Sequence, residues 1–257
     1  MNRTAGRWIS GLIAVTVLGF FGREAPAGSG APPAARRPRV VIDPGHGGSN
    51  LGAASAILGR HEKHVTLAVS ARLREHLRAR GIDVELTREH DRTLTLRQRV
   101  ALANQRAADA FISVHANAST SRTRRGFETF LLTPAGVDVD GRALRADATT
   151  PRPGVDAATA LILDDVERGA AQWASADLAV AVQRALREVR GAEHDRGVRQ
   201  DAHHVLLGAT MPAVLVEIGF VDHPAEGREL LDPAVQDRIA AALARAIAAT
   251  IPASPAP

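Results

Sequence analysis

The chain has 257 residues, enough for one ordinary domain with short appendages, and its 45% hydrophobic content supports a sizeable core. It has no Cys and no Tyr, which excludes disulfides, thiolate ligands and a cysteine nucleophile and leaves the core to Val, Leu, Ile and Ala. The pI near 10.9 reflects a formal charge of only +4 in a chain where little titrates between His and Arg; acidic and basic residues are interspersed, without the basic run and interleaved aromatics of a nucleic-acid binder.

Arg3 and Arg7 precede the apolar run Trp8 to Phe21, and Ala25-Pro26-Ala27 follows as a small-residue cleavage site. That order reads as a secretory signal peptide over residues 1–27, and the run is short for a membrane span. The expected location is the periplasm or the extracellular space, with no stable span after cleavage. Residues 28–38, GSGAPPAARRP, read as a flexible linker, 39–251 as one catalytic unit without a separate wall-binding domain, and 252–257 as a disordered tail. A monomer is expected.

Within 39–251, RVVI (39–42) is a short apolar run stopped by Asp43-Pro44-Gly45, a strand and a turn. Val65, Val69, Leu73 and Leu77 recur every four residues before Gly81, which predicts an amphipathic helix with a glycine stop. DVELT (83–87) is a strand candidate, Leu96, Val100 and Ala103 mark a shorter helix, and AFISV (110–114) and FETFLL (127–132) are further strands. Residues 133–156 read as a loop. Leu178, Val182, Leu186 and Val189 define a long helix, and HVLL (204–207) and AVLVEI (213–218) two late strands. Asp232-Pro233 starts a last helix, with Asp as N-cap and Pro in the first turn, buried through Val235, Ile239, Leu243 and Ile247. Alternating strands and helices predict an α/β fold: one mainly parallel twisted sheet with helices on both faces.

Ligands in open α/β sheets bind beyond the carboxyl ends of the strands. After RVVI comes Asp43-Pro44-Gly45-His46-Gly47-Gly48; after AFISV comes His115; after AVLV comes Glu217. Parallel neighbours bring these exits to one edge. Two imidazoles and a carboxylate are a fitting ligand set for catalytic zinc, which takes three protein ligands and keeps a fourth position open. Two carboxylates compete for the third place, Glu62 at the start of the first helix and Glu217 at a strand exit, and pattern alone does not assign them. Gly45, Gly47 and Gly48 let the backbone turn and approach a ligand closely. Asp43 is placed to hold the loop or a ligand by a hydrogen bond.

Five stretches carry a resemblance: VVIDPGHGGSNLGA (40–53), EKHVTLAVSARL (62–73), FISVHANAS (111–119), RGVRQ (196–200) and MPAVLVEIGFVDHPAE (211–226). In this order and spacing the chain resembles the zinc-dependent N-acetylmuramoyl-L-alanine amidases of the cell-separation type. The resemblance implies zinc on His46, Glu62 and His115, Glu217 as the catalytic carboxylate, and a sheet of about six strands. It implies peptidoglycan as substrate, cut at the amide between N-acetylmuramic acid and L-alanine. His64 stands where the family usually has Asp. Some members block the zinc with a Glu; the matching stretch near Leu144 to Ala148 here offers only Asp147, so autoinhibition is not expected, and no activator is identified. The alternatives are a zinc peptidase acting within the stem peptide and a non-catalytic wall-binding module.

Overall fold

The computed structural model describes residues 36–133, 155–201 and 203–251. The signal peptide, most of the linker, the tail, most of the 133–156 loop and Asp147 lie outside the described residues.

The described chain runs β1 (Arg39–Pro44), α1 (Glu62–Arg78), β2 (Asp83–Leu86), α2 (Leu96–Gln105), β3 (Ala110–Asn117), β4 (Phe127–Leu132), α3 (Ala157–Arg190), β5 (Asp195–Asp201), β6 (Ala213–Phe220), a short α4 (Glu226–Glu229) and α5 (Pro233–Thr250). Six strands form one sheet in the order β2-β1-β3-β6-β4-β5. β1 pairs parallel with β2 and β3, and β3 parallel with β6. β4 pairs antiparallel with β6 and parallel with β5. The sheet is therefore mainly parallel, with two reversed strands at one side.

Side-chain alternation sorts the core into two layers. Val40, Ile42, Ile112, Val114, Val214 and Val216 face α1, α3 and α5, where they meet Val65, Val69, Leu73, Leu178, Val182, Ile239 and Leu243. The intervening residues Val41, Phe111, Ala213 and Leu215 face the other way, against Val100 and Ala103 of α2 and Val205 and Leu206. Each fully buried aliphatic side chain contributes about 1.5–3 kcal/mol relative to exposure. Helices thus cover both faces, but α2 is short and leaves the strand ends on its side open.

The helix ends follow the sequence rules. Asp232 caps α5 by accepting from Ala234 N at 2.8 Å, with Pro233 in the first turn. α2 carries a capping box: Gln98 N donates to Thr95 Oγ1 (3.2 Å) and Thr95 N donates to Gln98 Oε1 (2.9 Å). At α1 the departure at His64 has a local role, since its Nδ1 accepts from His61 N at 3.0 Å and satisfies an otherwise orphaned donor. Leu96 is 49% exposed, so the inner face of α2 consists of Val100, Ala103 and the buried Arg99.

Two expectations are corrected. HVLL is not a strand: His204–Leu206 is one 3-10 turn, closed by Leu206 N to His203 O at 2.9 Å. Val205 and Leu206 are buried under the sheet all the same, and a short apolar run cannot distinguish these two ways of covering a core. The sixth strand is β5, whose sequence DRGVRQD is polar because it lies at the sheet edge and is largely exposed.

Glu226 is fully buried, and its oxygens accept from Arg190 Nη2 (2.6 Å), Phe220 N (2.9 Å) and Gly126 N (3.2 Å). This carboxylate ties α3, β6 and the start of β4 together. Glu226→Ala would leave two backbone donors unpaired and the buried Arg190 guanidinium with only its 3.4 Å contact to Glu229. We expect a loss of about 3–5 kcal/mol, read by urea denaturation. A loss below about 1 kcal/mol, the level of a surface pair, would show that Arg190 finds water instead.

Candidate metal centre

β1, β3 and β6 run parallel and end at the same edge, so their exits converge. His46 follows β1 on a loop held by buried arginines. Arg99 Nη2 donates to His46 O (2.8 Å), Arg99 Nη1 to Pro44 O (2.9 Å), and Arg88 Nε to Pro44 O (2.9 Å). His46 is left-handed, with φ 60°, a conformation costly for a residue with a Cβ, and these bonds fix it. Asp43 does not touch the imidazole. It accepts from Arg99 Nη1 (2.7 Å), Ser113 Oγ (2.8 Å) and Thr87 Oγ1, and so steadies the arginine that steadies the loop. Lys63, the chain's single lysine, is buried and donates to Gly48 O (2.9 Å) and Asp91 Oδ2 (2.7 Å), pinning the far side of the same loop.

Glycine is required where backbone meets ring. A Cβ on Gly45 would overlap the His115 imidazole. Gly52, which the sequence did not single out, has φ 67°, and a Cβ there would lie 2.7 Å from Glu62 Oε2 and 2.8 Å from His46 Cδ2.

The structure brings His46, Glu62 and His115 together: one possible ligand atom from each lies within 4.8 Å of the others. Glu62 is the hinge of the group. Its Oε2 is 3.0 Å from His46 Nε2, and its Oε1 is 2.9 Å from His115 Nδ1. It also accepts from Ala53 N and Ala116 N, both at 3.0 Å. Burial alone would raise the Glu62 carboxyl, but the hydrogen bonds from His115 and His46 outweigh it and hold the group far below the usual carboxylate range. For His46 burial works downward, and the Glu62 contact overcomes it, so its pKa is raised. The second His46 nitrogen, Nδ1, is 2.8 Å from Asn50 Oδ1, which orients the ring. The imidazoles meet edge to face with centroids 4.9 Å apart.

This donor set fits a divalent cation such as zinc. Two imidazoles and one ionised carboxylate, convergent and partly open to solvent, supply three ligands and leave room for a fourth.

Glu217 sits beside this group. It registers with His115 across β3 and β6, and with Glu128 across β6 and β4. Residues in register on paired strands share a face, so His115, Glu217 and Glu128 form a row across three strands, the last two about 5 Å apart. Glu217 Oε2 is buried without a hydrogen-bond partner. Burial, then the charges of Glu62 and Glu128, push the Glu217 carboxyl well above its ordinary range. A carboxyl group so placed is suited to holding and releasing a proton.

Sequence reasoning missed Glu128, which lies in a strand read only for its apolar residues. Its Oε1 accepts from Asn117 Nδ2 (2.7 Å), and its Oε2 lies 3.2 Å from Arg196 Nε and 2.6 Å from Arg199 Nε. Both arginines belong to the RGVRQ stretch. His203 also comes near: its ring packs edge to face on Phe130 at 4.5 Å, its buried Nε2 makes no hydrogen bond and lies 3.9 Å from Asp201 Oδ2, and burial lowers its pKa. In the arginine run 122–125, Arg122 and Arg124 are exposed, while Arg125 is half-buried and lies 3.5 Å from Glu229.

Comparison with known proteins agrees with this geometry. The chain is 34% identical over 216 residues to the N-acetylmuramoyl-L-alanine amidase AmiA of Escherichia coli, covering 81% of this chain and 74% of that one. Among solved structures it is similar to AmiC2 of Nostoc punctiforme, an N-acetylmuramoyl-L-alanine amidase. The TM-score is 0.63 at 28% identity, with 83% of this chain and 96% of that one covered. It is also similar to the catalytic domain of CwlV from Bacillus (Paenibacillus) polymyxa var. colistinus. There the TM-score is 0.61 at 28% identity, with 82% and 96% covered. A family model described as N-acetylmuramoyl-L-alanine amidase matches residues 40–249. Its match spans every strand exit described above, and the chain belongs to the N-acetylmuramoyl-L-alanine amidase family.

Proposed function

We propose that this family member hydrolyses the peptidoglycan amide between the lactyl group of N-acetylmuramic acid and L-alanine, with His46, Glu62 and His115 holding zinc and Glu217 moving the proton. The observation that carries the reading is the convergence of two imidazoles on one ionised carboxylate, beside a carboxyl group whose buried Oε2 has no hydrogen-bond partner. A zinc ion held there supplies Lewis acidity, which makes water more acidic and an amide carbonyl more electrophilic.

The chain's own residues do the rest. Glu217 accepts a proton from the attacking water through its unpartnered oxygen. It then donates that proton to the departing L-alanine nitrogen, so the amine leaves neutral. Asn50 keeps the His46 ring turned toward the centre. Arg88 and Arg99 hold the loop that carries His46, so the site is assembled before substrate arrives.

The arrangement suits wall remodelling outside the inner membrane, to which the leader at residues 1–27 would deliver the chain. Among the described residues no helix is long and apolar enough to cross a membrane.

The decisive experiment is mass spectrometry of purified peptidoglycan after incubation with the zinc-loaded protein. The expected product is a peptide with a new L-alanine amino terminus. A new terminus at any other stem residue would make the protein a peptidase. An undigested wall under conditions that saturate the site with zinc would leave only a binding role.

A further inference from the structure

The row of side chains across the sheet does not stop at Glu217. Beyond it lies Glu128, and beyond Glu128 the edge strand β5, which contributes Arg196 and Arg199. The Glu128 side chain is 6% exposed, whereas those of Arg196 and Arg199 are 27% and 48% exposed. A buried anion thus lies beneath two solvent-facing cations, and one guanidinium would suffice to balance its charge.

Arg199 Nε lies 2.6 Å from Glu128 Oε2, and the same oxygen accepts a hydrogen bond from Arg196 Nε, which leaves the edge formed by Nη1 and Nη2 of Arg196 outside that bond. That edge matches the two oxygens of a carboxylate. Arg196 is further held over the Phe220 ring at 5.2 Å. These cations share the face of the sheet on which Glu217 and His115 stand, one strand beyond Glu128.

We propose that Arg196 and Arg199 form a carboxylate-recognition subsite for the peptide side of the scissile amide. This rests on the amidase reading above. Charge complementarity selects the side. The lactyl ether and acetamido groups on the sugar side are neutral, while the peptide that begins with L-alanine carries carboxylates. Substrate then lies in one direction, with its peptide over β5 and its glycan toward the loop between β1 and α1. Glu128 acts through the arginines as a positioning residue, holding two like charges close enough to grip one anion.

The test uses two soluble substrates and the full-length, zinc-loaded protein: N-acetylmuramoyl-L-alanyl-D-glutamic acid and its diamide. The wild type should show a kcat/KM at least about tenfold higher for the acid, the worth of a hydrogen bond to a charged group, and the difference should lie in KM. In Arg199→Ala and Arg196→Ala the acid-to-diamide ratio should fall toward one, and Arg199→Lys should recover part of it. A wild-type ratio near one overturns the proposal, as does a ratio that survives both alanine variants. Release of L-alanyl peptide from neither substrate would instead refute the amidase reading. Calorimetric binding of L-alanyl-D-glutamate and its diamide then decides the subsite alone: a preference for the acid that is lost in Arg199→Ala supports it, and equal affinity overturns it.

Discussion

Glu217→Gln is expected to keep its metal and lose turnover by roughly 10²–10⁴-fold, the usual contribution of a positioned acid–base group. The substitution preserves shape and removes the ability to take up a proton. Its two consequences separate cleanly, because Glu217 is not among the three residues whose possible ligand atoms converge. Zinc content, read by atomic absorption, should stay stoichiometric. Stability to urea should hold or rise, since desolvation and then the charges of Glu62 and Glu128 oppose the ionisation of the half-buried Glu217. A variant with near-normal kcat would remove Glu217 from the reaction, and one that loses zinc as well would move it into the ligand set.

The second large effect concerns the metal group itself. His46→Ala and His115→Ala should each abolish both stoichiometric zinc and activity, and chelation of the wild type should do the same reversibly. Binding should also show in the fold. A ligand at a hundred times its Kd stabilises a protein by about 2.7 kcal/mol, so zinc should raise the thermal midpoint of the wild type and leave that of Glu62→Gln nearly unmoved. Glu62 is the sharper probe, because both imidazoles and two backbone amides converge on it. Retention of stoichiometric zinc in any of the three would strike that residue from the group.

How far the sequence reaches can be followed element by element. β1, β3 and β6 were legible because strands buried on both faces must be largely apolar, and Val40 to Ile42, Ala110 to Val114 and Ala213 to Val216 are apolar but for Ser113. α1 and α5 were legible because one face of each is uninterrupted Val, Leu and Ile. β5 was not, because an exposed edge strand is under no such demand and can be written DRGVRQD. HVLL misled for the converse reason: burial selects its composition, and a single turn buries Val205 and Leu206 as well as a strand would.

The same division runs through the site. Local sequence by itself determined which residues are exceptional: an imidazole within a glycine turn, another imidazole and an acid each directly after an apolar run. These break the local pattern, so they stand out without any neighbour. Which of them meet, and what surrounds them, was decided only in three dimensions. Strand order puts Glu128 in register with Glu217 although 88 other residues separate them in the chain. The same order sets two arginines of the edge strand on Glu128, and a helix start supplies the carboxylate that both imidazoles share. Electrostatic coupling depends on distance through space and on burial, and neither is a property of a residue's own neighbours in the chain.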